Sequence, residues 1–488
     1  MSRLPILFTC ALLLTANAAS AKDLFVTPTG NDAVSYASNS ATTPWRSLGR
    51  ATWGSTSISA PNAAEAAKAG DVVSVAAGTY ATTSVTNTRY TPIYNPVNSG
   101  TATAPITIRA VGNVYLTSSA GGQPIIGTLN KPYIVWDGFI LNEANITTTS
   151  DTGPLVVWGE SSHHVTIQNM HIIGTVLNWG DNHNGIRLEY ASDVLIRNNV
   201  IEGFADTVNA SNATCLTTYD SYNIVIEHNE CKNSNVGFFI KGRHGTKPQQ
   251  NVVMRYNYVH NNSLIGLYFG MIGENNPDGS PAVMSNIYQN LITDVGMAGL
   301  YYVGLTTDAA PARVIAANNT IVRAGALSDR EAGGILIHAG YTFKQLSFRN
   351  NLITNSATGV AAWDTTFNAS PGESTFSNNN YYANGTGTGA ARIAYTELNL
   401  ASWQATYGKD TVGTTTLNPG YVSATDYRLT STSPIKNTGL DVLDLNGNGS
   451  TSDSIAVGAY VTGNEVMGPT TETTVAAPNP PANLQVVP

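Results

Sequence analysis

Between about Pro105 and Tyr382 the chain repeats a short pattern of alternating apolar and polar positions. One phrase ends on an asparagine, as in Ile196-Arg-Asn-Asn199, Ile226-Glu-His-Asn229 and Met254-Arg-Tyr-Asn257. It returns at Asn290, Asn319, Asn351 and Asn379, so that successive asparagines lie 30, 28, 33, 29, 32 and 28 residues apart. A second phrase opens on a small residue and then alternates. Its copies are Gly185-Ile-Arg-Leu-Glu189, Cys215-Leu-Thr-Thr-Tyr219, Gly237-Phe-Phe-Ile-Lys241, Gly266-Leu-Tyr-Phe-Gly270, Gly299-Leu-Tyr-Tyr-Val303, Gly334-Ile-Leu-Ile-His338 and Gly359-Val-Ala-Ala-Trp363. Alternation of period two describes strands with one buried face. An irregular repeat near 30 residues describes a solenoid. Helical periodicity is missing between the strands, which argues against a sheet built with crossover helices. The predicted fold is all-β, a right-handed parallel β-helix with coils ~4.8 Å apart. Its asparagines should stack into a ladder, a structural role.

The ends of the chain read differently. Met1-Ser-Arg3, an apolar run from Leu4 to Ala16 and Ala19-Ser-Ala21 form a signal-peptide pattern over residues 1–21, so the protein is expected to be secreted, extracellular or periplasmic. The run is too short to span a membrane. Residues 22–70 are expected to form an N-terminal cap with an Ala-rich helical stretch around 62–69, and Gly70-Asp71-Val-Val-Ser-Val-Ala-Ala-Gly78 opens the first coil. The solenoid should then run over 71–385, followed by a C-terminal cap region over 386–464. Residues 465–488, rich in Thr, Pro and Ala, read as a disordered tail, in which Pro481–Val487 looks like the first strand of a further module. The opening, from Asp23-Leu-Phe-Val-Thr-Pro-Thr-Gly-Asn-Asp32 through Pro44-Trp-Arg-Ser-Leu-Gly-Arg-Ala51, and the C-terminal phrases Asn418-Pro-Gly-Tyr421, Asp426-Tyr-Arg-Leu429 and Gly458-Ala-Tyr460 resemble secreted β-helix proteins of the pectate-lyase-like superfamily. The nearest resemblance is to polysaccharide lyase family 9 and its relatives. It rests mostly on scaffold motifs and so implies fold more than reaction.

Strand alternation assigns an exposed face. If Ile186 and Leu188 point inward, Arg187 and Glu189 point out. The same register exposes Thr217 and Tyr219, Phe239 and Lys241, Tyr268 and Gly270, Tyr301 and Val303, Leu336 and His338, and Ala361 and Trp363. Aromatic platforms beside charges suit sugar rings, which offer flat apolar faces, hydroxyls and carboxylates. Packing of the rings on one another is the alternative. The expected substrate-binding residues are Glu189, Tyr219, Phe239, His244, Tyr268, Tyr301 and His338.

Charge refines this picture. Charged residues make up 11% of the chain and the net charge is −8, which argues against nucleic-acid binding. Yet Lys241-Gly-Arg243-His244-Gly-Thr-Lys247 concentrates basic groups after one strand. Such a local field suits a polyuronate. Resemblance to β-helix lyases implies β-elimination: a base takes the proton α to the uronate carboxylate and the 4-linked sugar leaves. The base must be neutral and the carboxylate neutralised. Lys241 matches the lysine base of family 9, with Arg243 and Arg187 as its catalytic neighbours. The same family implies calcium held by an aspartate cluster, which this sequence does not repeat; Glu189, Asp220 and Asp206 are the candidate ligands.

Other readings stay open. His338, near Tyr301, is a second candidate base. A glycoside hydrolase would need two carboxylates, with Glu189 and Asp220 or Asp181 as candidates. A non-catalytic glycan-binding β-helix is the third. Asp444-Leu-Asn446-Gly-Asn448-Gly-Ser450 is either an Asx-rich turn or a structural calcium loop. Cys215 and Cys231 are either one disulfide or two buried thiols. The expected partner is an acidic polysaccharide, bound by a monomer.

Overall fold

The computed structural model describes residues 21–82, 91–118, 123–144, 155–177, 182–208, 210–242, 249–270, 272, 276, 279–303, 313–326, 332–338, 346–362, 374–385 and 389–470. The proposed signal peptide lies outside the described residues apart from Ala21. Among those described, strands stack in parallel into a 21-stranded sheet and an 11-stranded sheet. A representative coil is built from Tyr222–Glu227, Glu230–Lys232 and Val236–Lys241. The first two belong to the larger sheet and the third to the smaller. Each strand pairs with its equivalents in the coils before and after, as in Ile196↔Ile226↔Met254. The predicted parallel β-helix is therefore the fold, and the crossover rule gives its coil a right hand.

A left-handed turn separates the first two strands of a coil. Asn198, His228, Tyr256, Gln289, Asn318, Asn350 and Asn378 all adopt φ between 51° and 57°. The residue after each is the repeated asparagine, which is completely buried. Its amide donates along the stack: Asn199 to Asn229 at 2.8 Å, Asn257 to Asn290 at 2.9 Å and Asn319 to Asn351 at 3.0 Å. Each also donates to a carbonyl of the coil before, as Asn257 does to Ile226 at 2.9 Å. The expected ladder is formed. It ends on Asp410, which accepts from Asn379 Nδ2 at 2.8 Å and from Tyr381, Trp403 and Thr414. Burial raises the Asp410 pKa above the ordinary carboxylate value.

The interior is packed with Ile, Val, Leu and Phe side chains from all three strands of each coil. Of the two cysteine alternatives the structure has the disulfide, Cys215–Cys231, facing the core.

The caps differ from the expectation in detail. Asp23–Val26 pairs with Val72–Val75, so the N-terminal region adds a strand to the first coil. The helix there is Leu48–Thr52, whereas 62–69 is mostly turns: alanine favours helix, but propensity is a weak determinant that packing overrides. A second helix, Leu400–Tyr407, is capped by Asn399, which accepts from Ser402 N, and by Gly408 at φ 63°.

Beyond this helix the chain doubles back along the outside of the left-handed turns. Asn378 donates to Thr438 O at 3.0 Å, Asn350 to Leu440 O at 2.7 Å and Asn318 to Ala456 O at 2.8 Å. Gln289 meets Glu465 at 3.2 Å, Gly468 N donates to Tyr256 O at 2.8 Å, and Thr470 reaches Asn198 at 3.1 Å. Residues 465–470, read from composition as the start of a tail, are thus tied to the solenoid. Residues 471–488 lie outside the described residues. Within the returning segment, Asp444 Oδ1 accepts from Gly449 N, and Asn446 and Asn448 donate to Asp453, a network of the Asx-turn kind.

Candidate active site

The smaller sheet carries two outward rows fixed by strand register. One runs Trp158, Arg187, Thr217, Phe239, Tyr268, Tyr301, Leu336, Ala361. The other runs Glu160, Glu189, Tyr219, Lys241, Gly270, Val303, His338. Every outward pair deduced from alternation falls on this face, save Trp363, which lies outside the described residues. Trp158 and Glu160 extend the rows by one coil and were not deduced. Their segment, Leu155-Val-Val-Trp-Gly-Glu160, alternates like the others but lacks the small opening residue.

Aromatic neighbours on this face pack edge to face. Phe239 and Tyr268 centroids are 4.2 Å apart, Tyr268 and Tyr301 5.0 Å, and Tyr219 and Phe239 6.2 Å. The hydroxyl of Tyr301 is 2.8 Å from His338 Nδ1. Crowding at the coil spacing has a consequence. Tyr219 and Phe239 are only 6% and 5% exposed, so the expectation that they present open ring faces to a sugar is not met. Leu336 and Ala361 are buried as well. Tyr268, Tyr301 and His338 are partly exposed and remain reachable.

Arg187 is also covered, at 2% exposed. Its Nε donates to Glu189 Oε1 at 2.9 Å, Nη2 to the same oxygen at 2.5 Å, and Nη1 to Asn184 Oδ1 at 3.1 Å. Its guanidinium lies 4.7 Å from the Tyr219 ring centroid and 5.7 Å from that of Trp158. The arrangement buries an Arg187–Glu189 ion pair under the face instead of offering an open fork to a ligand. Lys241 is half-buried, with Nζ 6.0 Å from the Tyr219 centroid and 5.7 Å from that of Phe239. The two cations thus lie against one shared ring. Across from Lys241 is Gly270, where an added Cβ would come 3.5 Å from the Lys241 Cγ and 2.9 Å from the Tyr268 ring. Glycine here leaves the lysine and tyrosine room. Arg243, His244 and Lys247 lie outside the described residues, as does Asp181.

The candidate calcium ligands are not brought together. Asp206 precedes the strand Ala213–Tyr219 and Asp220 follows it, about 20 Å away at the rise of a strand. Asp206 Oδ1 accepts from Val208 N at 2.7 Å, Glu189 is engaged by Arg187, and Asp220 is fully buried. Among the described residues no three His, Cys, Asp or Glu side chains converge as a metal site. The trio therefore does not fit the ion. No helix among the described residues is long and apolar enough to cross a membrane.

A family model described as a right handed beta helix region matches residues 207–381. No curated protein matches the chain. Among solved structures, pectate lyase Pel9A aligns with a TM-score of 0.53 at 18% identity, covering 90% of this chain and 96% of its own. A rhamnogalacturonan lyase aligns at 0.45 with 13% identity, covering 83% and 91%. A glycoside hydrolase aligns at 0.41 with 8% identity, covering 81% and 97%. At such identities the likeness speaks to fold and leaves the reaction open.

Proposed function

We propose that this chain, which has the right-handed β-helix scaffold of the pectate-lyase-like superfamily shared by polysaccharide lyases and glycoside hydrolases, is an exported polysaccharide lyase acting on a uronate-containing glycan. The observation that supports it is the placement of Lys241. It stands partly exposed on the face of the smaller sheet, beside the Arg187–Glu189 pair, with Gly270 and Tyr268 on the next coil. In the sequence Lys241 is followed by Arg243, His244 and Lys247, and such a basic run attracts an anionic polymer to a protein of net charge −8.

In this reading the neutral amine of Lys241 takes the proton at C5 of a uronate, the C4–O4 bond breaks, and a C4=C5 double bond forms. The departing oxygen ends as a hydroxyl after protonation. Arg187, held by Glu189, fixes the Tyr219 ring beside the lysine, and Arg243, two residues beyond the base, is assigned the uronate carboxylate. Tyr268 and Tyr301 line subsites. No step is assigned to a metal ion.

The hydrogen-bonded Tyr301–His338 pair favours a second assignment for the same reaction, with Tyr301 as the acid or base. One experiment separates the two. The secreted protein and its Lys241→Ala and Tyr301→Phe variants are incubated with pectate, alginate and other polyuronates, with and without chelator, and absorbance near 235 nm is followed. Lys241→Ala should lose roughly 10²–10⁴-fold of the rate with its melting temperature kept. Full activity in that variant removes the assignment. New reducing ends without absorbance would make the protein a hydrolase, and binding without product a glycan-binding protein.

A further inference from the structure

A second recess lies at the other edge of the smaller sheet, at the start of its strands instead of their ends. Its volume is about 520 Å³, within the usual range for ligand sites. The floor is made where three successive coils turn tightly, between Lys232 and Val236, Asn262 and Ile265, and Val295 and Ala298. In the sequence the coils on either side have longer connections, 203–212 and 325–332. Ala205 and Ala326 stand at the two ends.

The outer row of the recess is mixed: Asn233, Asn261, Asp294 and Arg323 occupy equivalent positions of four successive coils. Asn233 and Asn261 are exposed at equivalent positions of neighbouring coils, and Ser263 is exposed beside them. Asn235 donates to Ser263 Oγ at 2.5 Å, which orients the hydroxyl. Two charges border the recess, and they cancel: Arg323 donates to both oxygens of Asp294 at 2.6 and 2.7 Å. Val295 is fully buried in the core, so behind these side chains the recess is bounded by the main chain of Val295 and Gly296.

We infer that this recess is a binding site for an uncharged glycan segment, separate from the Lys241 face. The amides of Asn233 and Asn261 stand one coil spacing apart, ~4.8 Å, so two neighbouring rings of an extended chain can meet like donors. Hydroxyls exchange readily with amide and serine partners, and the small side chains of Ala205 and Ala326 leave room for sugar rings. Compensated charge gives an anionic chain no advantage here. The inference does not depend on Lys241 being a base.

Isothermal titration with four neutral tetrasaccharides, from β-1,4-glucan, β-1,4-xylan, β-1,4-galactan and α-1,4-glucan, tests it. At least one should bind at roughly 1 mM or tighter. Ser263→Trp, which fills the recess, should weaken that binding at least tenfold. Asn233→Gly with Asn261→Gly should do the same while suiting the left-handed backbone at both positions, φ 55° and 54°. Lys241→Ala should leave the affinity unchanged, which keeps this site apart from the proposed catalytic one. Melting curves of the variants confirm folding. Absence of binding by all four sugars, binding indifferent to Ser263→Trp, or loss of binding in Lys241→Ala would each overturn the inference.

Discussion

The turn column and the outer face of the smaller sheet are built by the same repeat, yet they use it in opposite ways. At the turn, every coil from Asn199 to Asn379 places the same amide in the same buried position, bonded to the coils before and after. On the sheet face the register is just as strict, but the residues change from coil to coil: Trp158, Arg187, Thr217, Phe239, Tyr268, Tyr301. Identity repeated along a stack marks a scaffold, where each group is satisfied by its copy. Varied chemistry held at one spacing marks a surface that can distinguish one ligand from another.

Breaking the column should have the largest effect on stability. Asn257→Leu strands buried partners on Asn229, Asn290 and Ile226, and should cost about 3–5 kcal/mol by denaturant titration. Product formation by the fraction still folded should be unchanged. On the face, Tyr268→Ala removes edge-to-face contacts to Phe239 and Tyr301. It should raise KM on the active polymer about tenfold while lowering stability by only about 1–2 kcal/mol. If Tyr268→Ala destabilises as much as Asn257→Leu without touching KM, the face is scaffold too.

The smallest effect belongs to the flank that joins the two regions. Glu230, one residue past the ladder, is held to about 2 from its ordinary 4.5, chiefly by the hydrogen bond from His260 and then by Lys232. A depressed carboxyl stabilises fully above its unfolded pKa and loses that contribution as pH falls through the folded value. Stability should therefore fall between pH about 4.5 and about 2, and Glu230→Gln should flatten that part of the profile in urea titrations. A slope unaltered by the substitution would assign the acid loss to other groups.

Much of this architecture is legible in the chain. Asparagine spacing and period-two strands carry register information directly, so the coils, the ladder and the membership of the outward rows follow from the residues. What failed is informative. Alternation says that Arg187 and Phe239 point away from the core, but outward on a stacked sheet is not the same as accessible. At the coil spacing, large neighbours cover one another, and Glu189 folds onto Arg187 two residues away. Glu189 and Asp220 lie on neighbouring coils, but a whole strand separates Asp206 from Asp220. The helix at Leu48–Thr52 and the docking of 465–470 depend on packing partners far away in sequence, which local composition does not reveal.

The returning C-terminal segment has a consequence for how the molecule comes apart. A repeat array whose coils touch only their neighbours can fray from either end. Here one continuous stretch, from Thr438 to Thr470, is bonded to turns from Asn378 back to Asn198. Opening any coil along that length tugs on a tie that distant coils also hold. Loss of structure is then shared across the array, so that these coils melt together as a single cooperative unit.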